Sequence, residues 1–215
     1  MTDYQYQDST RPELVKFLPK QYKTVLEVGC GTGGFKISLD ENIEIWGIEP
    51  CESASKQAKI KGYILLIGFY DDIESQCPDC YFDLIICNDV IEHMIDHEKF
   101  LIDIKKKMKP DAVIVGSIPN IRYYQVLFNL VFKKDWQYNE RGVLDRTHLR
   151  FFTEKSLKRT FKKCGFNIEK FNGLNRVKYY LTVKSFVKFL IFNLSFGLLE
   201  DTKSQQFGFT IKPKK

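Results

Sequence analysis

Short apolar runs alternate with more polar segments along the first half of the chain, and this pattern predicts alternating strands and helices. Runs rich in aliphatic and β-branched residues are typical of strands buried in a parallel sheet. The predicted strands cover residues 24–28, 43–48, 63–67, 82–87 and 112–118, with predicted helices at 34–39, 52–61 and 97–108. The alternation indicates a doubly wound α/β domain with helices on both faces and a ligand site at the carboxyl ends of the strands.

The second half of the chain adds a helix, two strands and a long connection. Thr153 can cap a helix that Gly165 ends, and further strands are predicted at 167–171 and 206–212. The connection at 120–150 is much longer than the roughly 2 to 6 residues usual in α/β units. We therefore expect it to form a lid, and we call it the lid segment.

A second insertion, at about 177–199, is aromatic and aliphatic but is interrupted by Lys184, Lys188 and Asn193. These polar residues make it a poor membrane-spanning segment. The spacing of its apolar residues predicts a helical insertion that packs on the domain, and a dimer interface or a contact with membrane lipid are the alternatives. The whole chain, 1–215, is interpreted as a single domain.

Charge and composition bear on the kind of partner and on the cell compartment that we expect. The chain has 215 residues and a net charge of +6, with lysines clustered at 105–107, 162–163 and 212–215. Such clusters are usually solvated faces, and the alternative is an anionic partner such as a phosphorylated substrate or a membrane surface. No nucleic-acid-binding module accompanies the charge, so no nucleic-acid partner is expected. The polar first ten residues lack a secretory signal pattern, which predicts a cytoplasmic protein.

The six cysteines are scattered along the sequence, which favours reduced thiols over a disulfide framework. Cys77 and Cys80 form a lone C-x-x-C pair with no second pair at zinc spacing. Loop cysteines are the simpler interpretation, with metal or redox use as the alternative. No metal site is expected from the sequence.

A glycine-rich turn follows the first predicted strand and marks a cofactor site. Glycines allow positive φ angles in a tight turn and leave room for a ligand against the main chain. Gly29, Gly31 and Gly34 satisfy the spacing of the dinucleotide fingerprint, so the turn alone is compatible with NAD. Glu49 ends the second strand, 22 residues beyond Glu27, where a carboxylate can bind the hydroxyls of an adenosine ribose. The alternative role for Glu49 is a cap on the following helix.

The combination of Glu27-x-Gly29-x-Gly31-x-Gly33 with Glu49 resembles the cofactor motifs of class I S-adenosylmethionine-dependent methyltransferases. The stretch at 81–93, which reads YFDLIICNDVIEH, is similar to the fourth strand and loop of the ubiquinone-methyltransferase-like branch. The resemblance covers about residues 20–173. It implies a Rossmann-like, mostly parallel sheet of seven strands, with the last strand antiparallel beside the sixth.

The resemblance also implies roles for individual residues around S-adenosylmethionine. Glu27 and the turn would hold the methionine end, Glu49 the ribose, and Asn88 would border the sulfonium. Either Asp71 or Asp72 would meet the adenine amino group. The full set of expected cofactor-binding residues is Glu27, Gly29, Cys30, Gly31, Gly33, Glu49, Pro50, Asp71, Asp72, Asn88 and Asp89.

A narrower resemblance lies beyond the fifth strand. The stretches 117–120, 122–124 and 142–153 are similar to methyltransferases of bacterial surface-polysaccharide biosynthesis. The aromatic residues of the lid segment could stack on a sugar or cover the cofactor, or they could form an ordinary hydrophobic cluster; they are Tyr123, Tyr124, Trp136 and Tyr138. The expected substrate-binding residues are Arg122, Tyr123, Tyr124, Arg146 and Arg150.

Transfer of a methyl group to oxygen needs alignment of the acceptor and removal of its proton. His148, oriented by Asp145, is the first candidate for the base, and His93 is the second. A structural role in the lid segment is the alternative for His148. Arg146 and Arg150 would bind a substrate phosphate or pair with Asp145.

Together these features predict a methyltransferase that acts on a sugar hydroxyl of a nucleotide-linked, lipid-linked or polymeric glycan. The alternatives are a ubiquinone-type O-methyltransferase, an aminosugar N-methyltransferase, and a scaffold that binds the cofactor without catalysis. We expect a cytoplasmic enzyme. Peripheral contact with the inner face of the membrane and a homodimer are the two options for the apolar insertion.

Overall fold

The computed structural model describes residues 9–177 and 197–214 and contains a seven-stranded sheet. The strands are β1 Thr24–Val28, β2 Glu44–Glu49, β3 Ile64–Ile67, β4 Phe82–Asn88, β5 Met108–Pro119, β6 Phe166–Arg176 and β7 Ser204–Pro213. Their order in the sheet is β3-β2-β1-β4-β5-β7-β6. The first five strands are parallel, and β7 lies antiparallel between β5 and β6. The predicted mostly parallel, doubly wound sheet is therefore confirmed.

The central strands are buried on both faces, which explains why they are almost continuously apolar in sequence. Within β1, Val25 packs into the core on one face and Leu26 into the core on the other. Successive side chains of a strand point to opposite faces, so both faces must be covered. Leu157 and Phe161 of the last described α-helix cover one face, and Phe17 near the amino end covers the other.

The helices are shorter and less regular than the sequence predicts. The α-helices are α1 Glu52–Ile60, α2 Tyr70–Ile73, α3 His97–Asp103, α4 Tyr124–Phe128 and α5 Glu154–Lys163. Additional 3₁₀ turns lie at Pro12–Phe17, Gly34–Ser38, Glu74–Gln76, Ile91–His93, Ile104–Lys107 and Asp201–Lys203. The predicted helix at 34–39 is thus a 3₁₀ turn. The predicted caps of α5 are confirmed, because Thr153 accepts a hydrogen bond from the Ser156 amide and Gly165 has a φ of 79°.

Two boundaries differ from the prediction: the end of the helix predicted at 97–108 and the start of the strand predicted at 112–118. The predicted helix at 97–108 ends its α-helical part at Asp103, and Met108 already begins β5 opposite Phe82. The register of β4 and β5 then shifts before Leu84 pairs with Val113, and Pro110 lies within this irregularity. Proline cannot donate to a ladder, so an irregular stretch of strand is where it is tolerated.

The lid segment forms a small separate core around Val126, Val143 and Leu144, against which Tyr123 and Phe151 pack. Its function as a lid stays a prediction. Most of the predicted helical insertion at 177–199 falls at 178–196, outside the described residues. None of the described helices has the length and apolarity needed to cross a membrane.

The contact between β4 and β5 leaves no room for a side chain at Gly116. A Cβ atom there would lie 2.2 Å from the Cys87 carbonyl oxygen and 2.8 Å from the Phe209 ring. We expect Gly116→Ala to lower the free energy of unfolding by about 1 to 3 kcal/mol, as other overpacking substitutions do. Urea denaturation measures the change, with Asp111→Ala at the exposed end of the same strand as the control. Equal stability of Gly116→Ala and wild type would contradict this account of the packing.

Candidate functional site

A cavity of about 930 Å³ opens at the carboxyl ends of β1, β2 and β4. The chain crosses from one side of the sheet to the other between β1 and β4, and ligands of doubly wound folds bind at such a switch point. The cavity is lined by the glycine-rich turn, the ends of β2 and β4, the start of α2 and part of the lid segment. All the expected cofactor-binding residues except Gly33 line it.

The backbone of the turn decides between the two glycine patterns. Gly29, Gly31 and Gly33 all have positive φ angles, of 68°, 52° and 73°. A Cβ on Gly29 would also lie 2.6 Å from Val90, and one on Gly33 would lie 2.7 Å from Tyr63. The turn therefore requires a glycine at position 33. Gly33 is part of the pattern Glu27-x-Gly29-x-Gly31-x-Gly33, whereas the dinucleotide fingerprint has no glycine at that position.

Glu49 braces this turn from the end of β2. Its carboxylate accepts hydrogen bonds from the Gly31 amide and from the Cys51 amide, both at 2.9 Å, and the side chain is buried. Because Cys51 directly precedes α1, Glu49 contacts the start of that helix and also lines the cavity. A carboxylate held in this way is preorganised for hydroxyl donors of a ligand.

Glu27 is buried at the end of β1, where the Tyr63 hydroxyl donates to it at 2.6 Å. Burial raises the pKa of Glu27 to about 8, and the nearby Glu49 acts in the same direction. The carboxyl group is therefore mostly neutral at pH 7 in the ligand-free protein. A cationic ligand group beside it would favour the ionised form.

Asn88, at the end of β4, lines the cavity with an unsatisfied amide. Both polar atoms of its side chain are buried and have no hydrogen-bond partner in the described part of the protein. Buried amides are rarely left in this state unless a ligand or water completes them. That Asn88 borders the reactive end of the cofactor stays a prediction.

The structure leaves both acidic candidates for the adenine contact in place. Asp71 and Asp72 lie in the first turn of α2 and both line the cavity. The Asp71 carboxylate is half exposed and lies 3.8 Å from Lys99. Phe69, just before the helix, is also exposed at the cavity and offers an apolar surface to a flat ring.

Asp89 belongs to a network that the sequence did not reveal. Its carboxylate accepts from Arg11 at 2.5 Å, from Ser117 at 2.8 Å and from Gln206 at 2.9 Å. Asp89 also has a φ of 53°, a strained value for a residue other than glycine. Its carboxylate fixes the loop after β4 to the amino-terminal segment and to β7. Asp89 also lines the larger cavity, and its expected contact with the cofactor stays a prediction. No local pattern could have paired residues 78 positions apart.

A second, smaller cavity of about 140 Å³ adjoins the first, and the two share Asp89 and His93. Its other lining residues are Pro119, Gly142, Val143, Asp145, His148, Gln205 and Gln206. Most of these residues carry hydrogen-bonding side chains. We call this space the polar pocket.

His93 lies between the two cavities, and one of its ring nitrogens is hydrogen-bonded to Thr147. Its Nδ1 lies 3.1 Å from both the carbonyl oxygen and the hydroxyl oxygen of Thr147. The Thr147 hydroxyl donates to Asp145 at 2.7 Å, so toward His93 it can only accept. The proton of a neutral His93 ring therefore belongs on Nδ1, which leaves Nε2 with a free lone pair.

His148 is buried in the polar pocket and does not line the larger cavity. Its Nδ1 lies 3.1 Å from the Val143 carbonyl oxygen, and its ring centre is 4.7 Å from that of His93. Burial lowers the pKa of His148, with a further contribution from His93. The prediction that Asp145 orients His148 is wrong: the Asp145 carboxylate accepts from the amide and hydroxyl of Thr147, which supports His93.

Glu92 is the residue at this site that the sequence analysis missed. It is only 1% exposed, and neither carboxylate oxygen has a hydrogen-bond partner among the described residues. Its Oε1 lies 3.9 Å from His148 Nε2, and burial raises the pKa of Glu92 well above its usual value. The quoted stretch at 81–93 contains it, but no periodicity marks Glu92 as buried.

The predicted substrate-binding arginines do not belong to the lining of either cavity. Arg122 pairs with Asp201 at 2.6 Å, Arg146 pairs with Glu140, and Arg150 donates to the Ile95 carbonyl oxygen. None of the three lines a cavity or pairs with Asp145. Long side chains on an exposed segment bind the nearest acceptor, and the sequence does not identify that acceptor.

The predicted aromatic platform is a local cluster. Tyr123 and Tyr124 contact each other with ring centres 4.8 Å apart, and Trp136 packs against Phe151 at 5.5 Å. The described cavities include none of these rings. This arrangement corresponds to the hydrophobic-cluster alternative. Arg141, Thr147 and Leu149 are the members of this region that reach the larger cavity.

Comparison with known families identifies the domain. Residues 3–170 match the family described as a methyltransferase domain. The chain belongs to this methyltransferase domain family. Membership confirms the predicted methyltransferase class, with S-adenosylmethionine as the cofactor, and it agrees with a cavity formed by Glu27, the turn glycines and Glu49.

Individual relatives are similar over only part of their length. The chain is 26% identical over 111 residues to a ubiquinone biosynthesis O-methyltransferase of Rickettsia typhi, covering 50% of this chain and 45% of that one. It is 28% identical over 123 residues to a malonyl-[acyl-carrier protein] O-methyltransferase of Bacillus cytotoxicus, covering 53% and 43%. The chain thus spans less than half the length of these curated relatives.

Solved structures support the fold over nearly the whole chain. A SAM-dependent methyltransferase from Archaeoglobus fulgidus is 21% identical, with a TM-score of 0.63, and the match covers 90% of this chain and 87% of that one. A possible histamine N-methyltransferase from Thermotoga maritima is 20% identical, with a TM-score of 0.64 and coverage of 95% and 88%.

The raised pKa of Glu27 predicts a pH dependence of cofactor binding. The resemblance implies that Glu27 binds the ammonium group at the methionine end, a contact that favours the ionised carboxylate. The free protein holds the proton below about pH 8, so such binding would release a proton. We expect the affinity for S-adenosylmethionine to rise up to about tenfold per pH unit between about pH 6 and 7, where an α-amino group with a pKa of about 7.7 to 8.0 is still mostly protonated. Calorimetry measures this, and Glu27→Gln should flatten the profile. A flat profile for the wild-type protein would refute the assignment.

Glu49 should contribute directly to the affinity for the cofactor. We expect Glu49→Ala to weaken binding by about 1 to 3 kcal/mol, because it removes a charged acceptor and frees the turn that it braces. Glu44→Ala, at the exposed start of the same strand, is the matched control. Calorimetry with the product cofactor gives both numbers. If the two variants bind equally well, the ribose site lies elsewhere.

Proposed function

We propose that the protein transfers the methyl group of S-adenosylmethionine to a sugar hydroxyl of a surface-glycan precursor or glycan. The observation that carries the proposal is the polar pocket beside the cofactor cavity. Six of its nine lining residues have side chains that donate or accept hydrogen bonds. A sugar ring offers several hydroxyls that can pair with the lining groups that keep hydrogen-bonding capacity, among them His93 Nε2, whereas an apolar acceptor offers none.

His93 is the group best placed to take the acceptor proton. It borders both cavities, and its free Nε2 follows from the hydrogen bonds that fix Nδ1. In the reaction the acceptor oxygen attacks the methyl carbon, the bond from that carbon to sulfur breaks, and the hydroxyl proton passes to His93. Positioning of the oxygen in line with that bond supplies much of the rate enhancement.

Thr147 and Asp145 keep His93 in the orientation that this role needs. The Asp145 carboxylate fixes the amide and hydroxyl of Thr147, and Thr147 in turn faces His93 Nδ1. These are positioning residues in the proposal, because neither has to touch the reacting atoms. His148 lies behind His93 and is proposed to shape the polar pocket.

A ubiquinone-type O-methyltransferase is the second candidate function. It is supported by the relative from Rickettsia typhi, whose name states that reaction. The alignment covers half of this chain, so the other half has no counterpart in that comparison. The two candidates differ in the acceptor alone, which a direct assay can separate.

The test is a methyl-transfer assay with labelled cofactor on two acceptor sets, nucleotide-linked and lipid-linked sugars in one and phenolic quinone precursors in the other. We expect mass spectrometry to find methylation only in the sugar set. We also expect His93→Ala to lower kcat by about 10² to 10⁴-fold, the usual contribution of a general base.

His97→Ala is the control, since His97 lies on α3 and lines neither cavity. Methylation of the phenolic set alone would establish the second candidate. Tight cofactor binding with no transfer to either set would favour a scaffold that binds the cofactor without catalysis.

A further inference from the structure

We propose that Glu92, His93 and His148 form a binding site for a divalent metal ion of the zinc type, at the junction of the cofactor cavity and the polar pocket. One carboxylate oxygen and one ring nitrogen of each histidine lie within 4.8 Å of one another. In a tetrahedral site with ligand distances of about 2.0 to 2.2 Å, donor atoms stand roughly 3.5 Å apart. Small side-chain movements would therefore complete the coordination.

The unpaired state of Glu92 is the first observation that points to a cation. The carboxyl group is 1% exposed and lacks a hydrogen-bond partner in the described part of the chain. Burying a carboxyl group without a partner is costly, and such groups are normally paired or coordinate a metal. His148 Nε2 lies 3.9 Å from Glu92 Oε1, beyond hydrogen-bond distance.

The hydrogen bonds of the two histidines are the second observation. His93 Nδ1 faces Thr147 oxygens that can only accept, and His148 Nδ1 faces the Val143 carbonyl oxygen. Both rings, when neutral, therefore carry their proton on Nδ1. Their Nε2 atoms keep a lone pair that can bind a metal ion. Metal-ligating histidines are held in this manner, with the second nitrogen donating to a backbone carbonyl or another acceptor.

The backbone fixes the ligands relative to one another. Glu92 and His93 share the short turn Ile91–His93, and the Glu92 carbonyl oxygen accepts from the amides of Leu149 and Arg150 at 2.9 and 3.0 Å. These two bonds attach the end of the lid segment, which carries His148, directly to the loop that carries the other two ligands. The site is thus largely preorganised in the ligand-free protein.

Two histidines and one glutamate are a ligand set of catalytic zinc, which keeps a fourth position open. Because His93 and His148 line the polar pocket, that position would face the acceptor. Resting on the proposed function, the ion would bind the acceptor hydroxyl and make it easier to deprotonate. What this step takes from the proposed function is the acceptor alone: a coordinated His93 has no lone pair for the proton, so the ion would replace His93 in activating the hydroxyl and the proton would pass to solvent.

Cobalt titration tests the site without any assay of activity. We expect chelator-treated wild-type protein to bind one equivalent of Co²⁺, with visible absorption bands of a four- or five-coordinate ion, and Zn²⁺ to displace it. Glu92→Gln and His148→Ala should each weaken Co²⁺ binding by at least about 10- to 100-fold. The matched controls Glu98→Gln and His97→Ala change the same residue types outside the cluster and should bind Co²⁺ as the wild type does.

Circular dichroism and cofactor binding establish that each variant is folded. If Glu92→Gln does not fold, His148→Ala and the wild-type titration decide the matter. Absence of stoichiometric Co²⁺ binding by the wild type would overturn the proposal, as would binding with thiolate bands that survives His148→Ala. In those cases Glu92 is a neutral acid packed beside His148.

The outcomes also separate this inference from the proposed function. Co²⁺ binding that depends on Glu92 and His148, together with no methylation of any sugar, would support the metal site and refute the acceptor. Sugar methylation by a protein that binds no Co²⁺ and is unaffected by chelators would support the sugar acceptor and refute the metal site.

Discussion

Burial of carboxyl groups along one edge of the sheet is the constraint on which the site depends. Glu27, Glu49 and Glu92 are each less than 5% exposed, and they follow or end neighbouring parallel strands. A buried carboxyl group must be neutralised, hydrogen-bonded or paired with a cation. Each of the three meets this requirement differently, and the differences divide the site into regions with separate roles.

Glu49 is satisfied by backbone amides and so serves as a fixed acceptor and a brace for the glycine turn. Glu27 has one hydroxyl donor and a pKa raised to about 8, a state that a cationic ligand can reverse. Glu92 has no partner among the described residues. From β2 through β1 to β4, the protein thus donates fewer hydrogen bonds to each successive carboxyl group. The carboxyl group with no donor, that of Glu92, is the one beside the polar pocket.

The sequence predicted the sheet well because its signals are local. Each parallel strand is a short apolar run, and the turn glycines are dictated by the chain immediately around them. The features that it missed are contacts between distant segments: Arg11 with Asp89, and Thr147 with His93. The lid arginines show the same limit, since Arg122 and Arg150 are of the type that binds phosphate but pair with groups on the protein. Residue type indicates what a side chain can bind, and tertiary packing selects the partner.

The same long-range contacts make the acceptor side dependent on the lid segment. Leu149 and Arg150 hold the backbone at Glu92, Thr147 fixes the ring of His93, and the Arg11–Asp89 pair holds the loop from the opposite side. The larger cavity is formed mainly by β1, β2, β4 and α2, with Arg141, Thr147 and Leu149 as the contribution of the lid segment. The ring of His93, in contrast, is held by Thr147 of the lid segment. A change in the docking of the lid segment should therefore displace His93 and the wall of the polar pocket more than the strand ends that form most of the larger cavity.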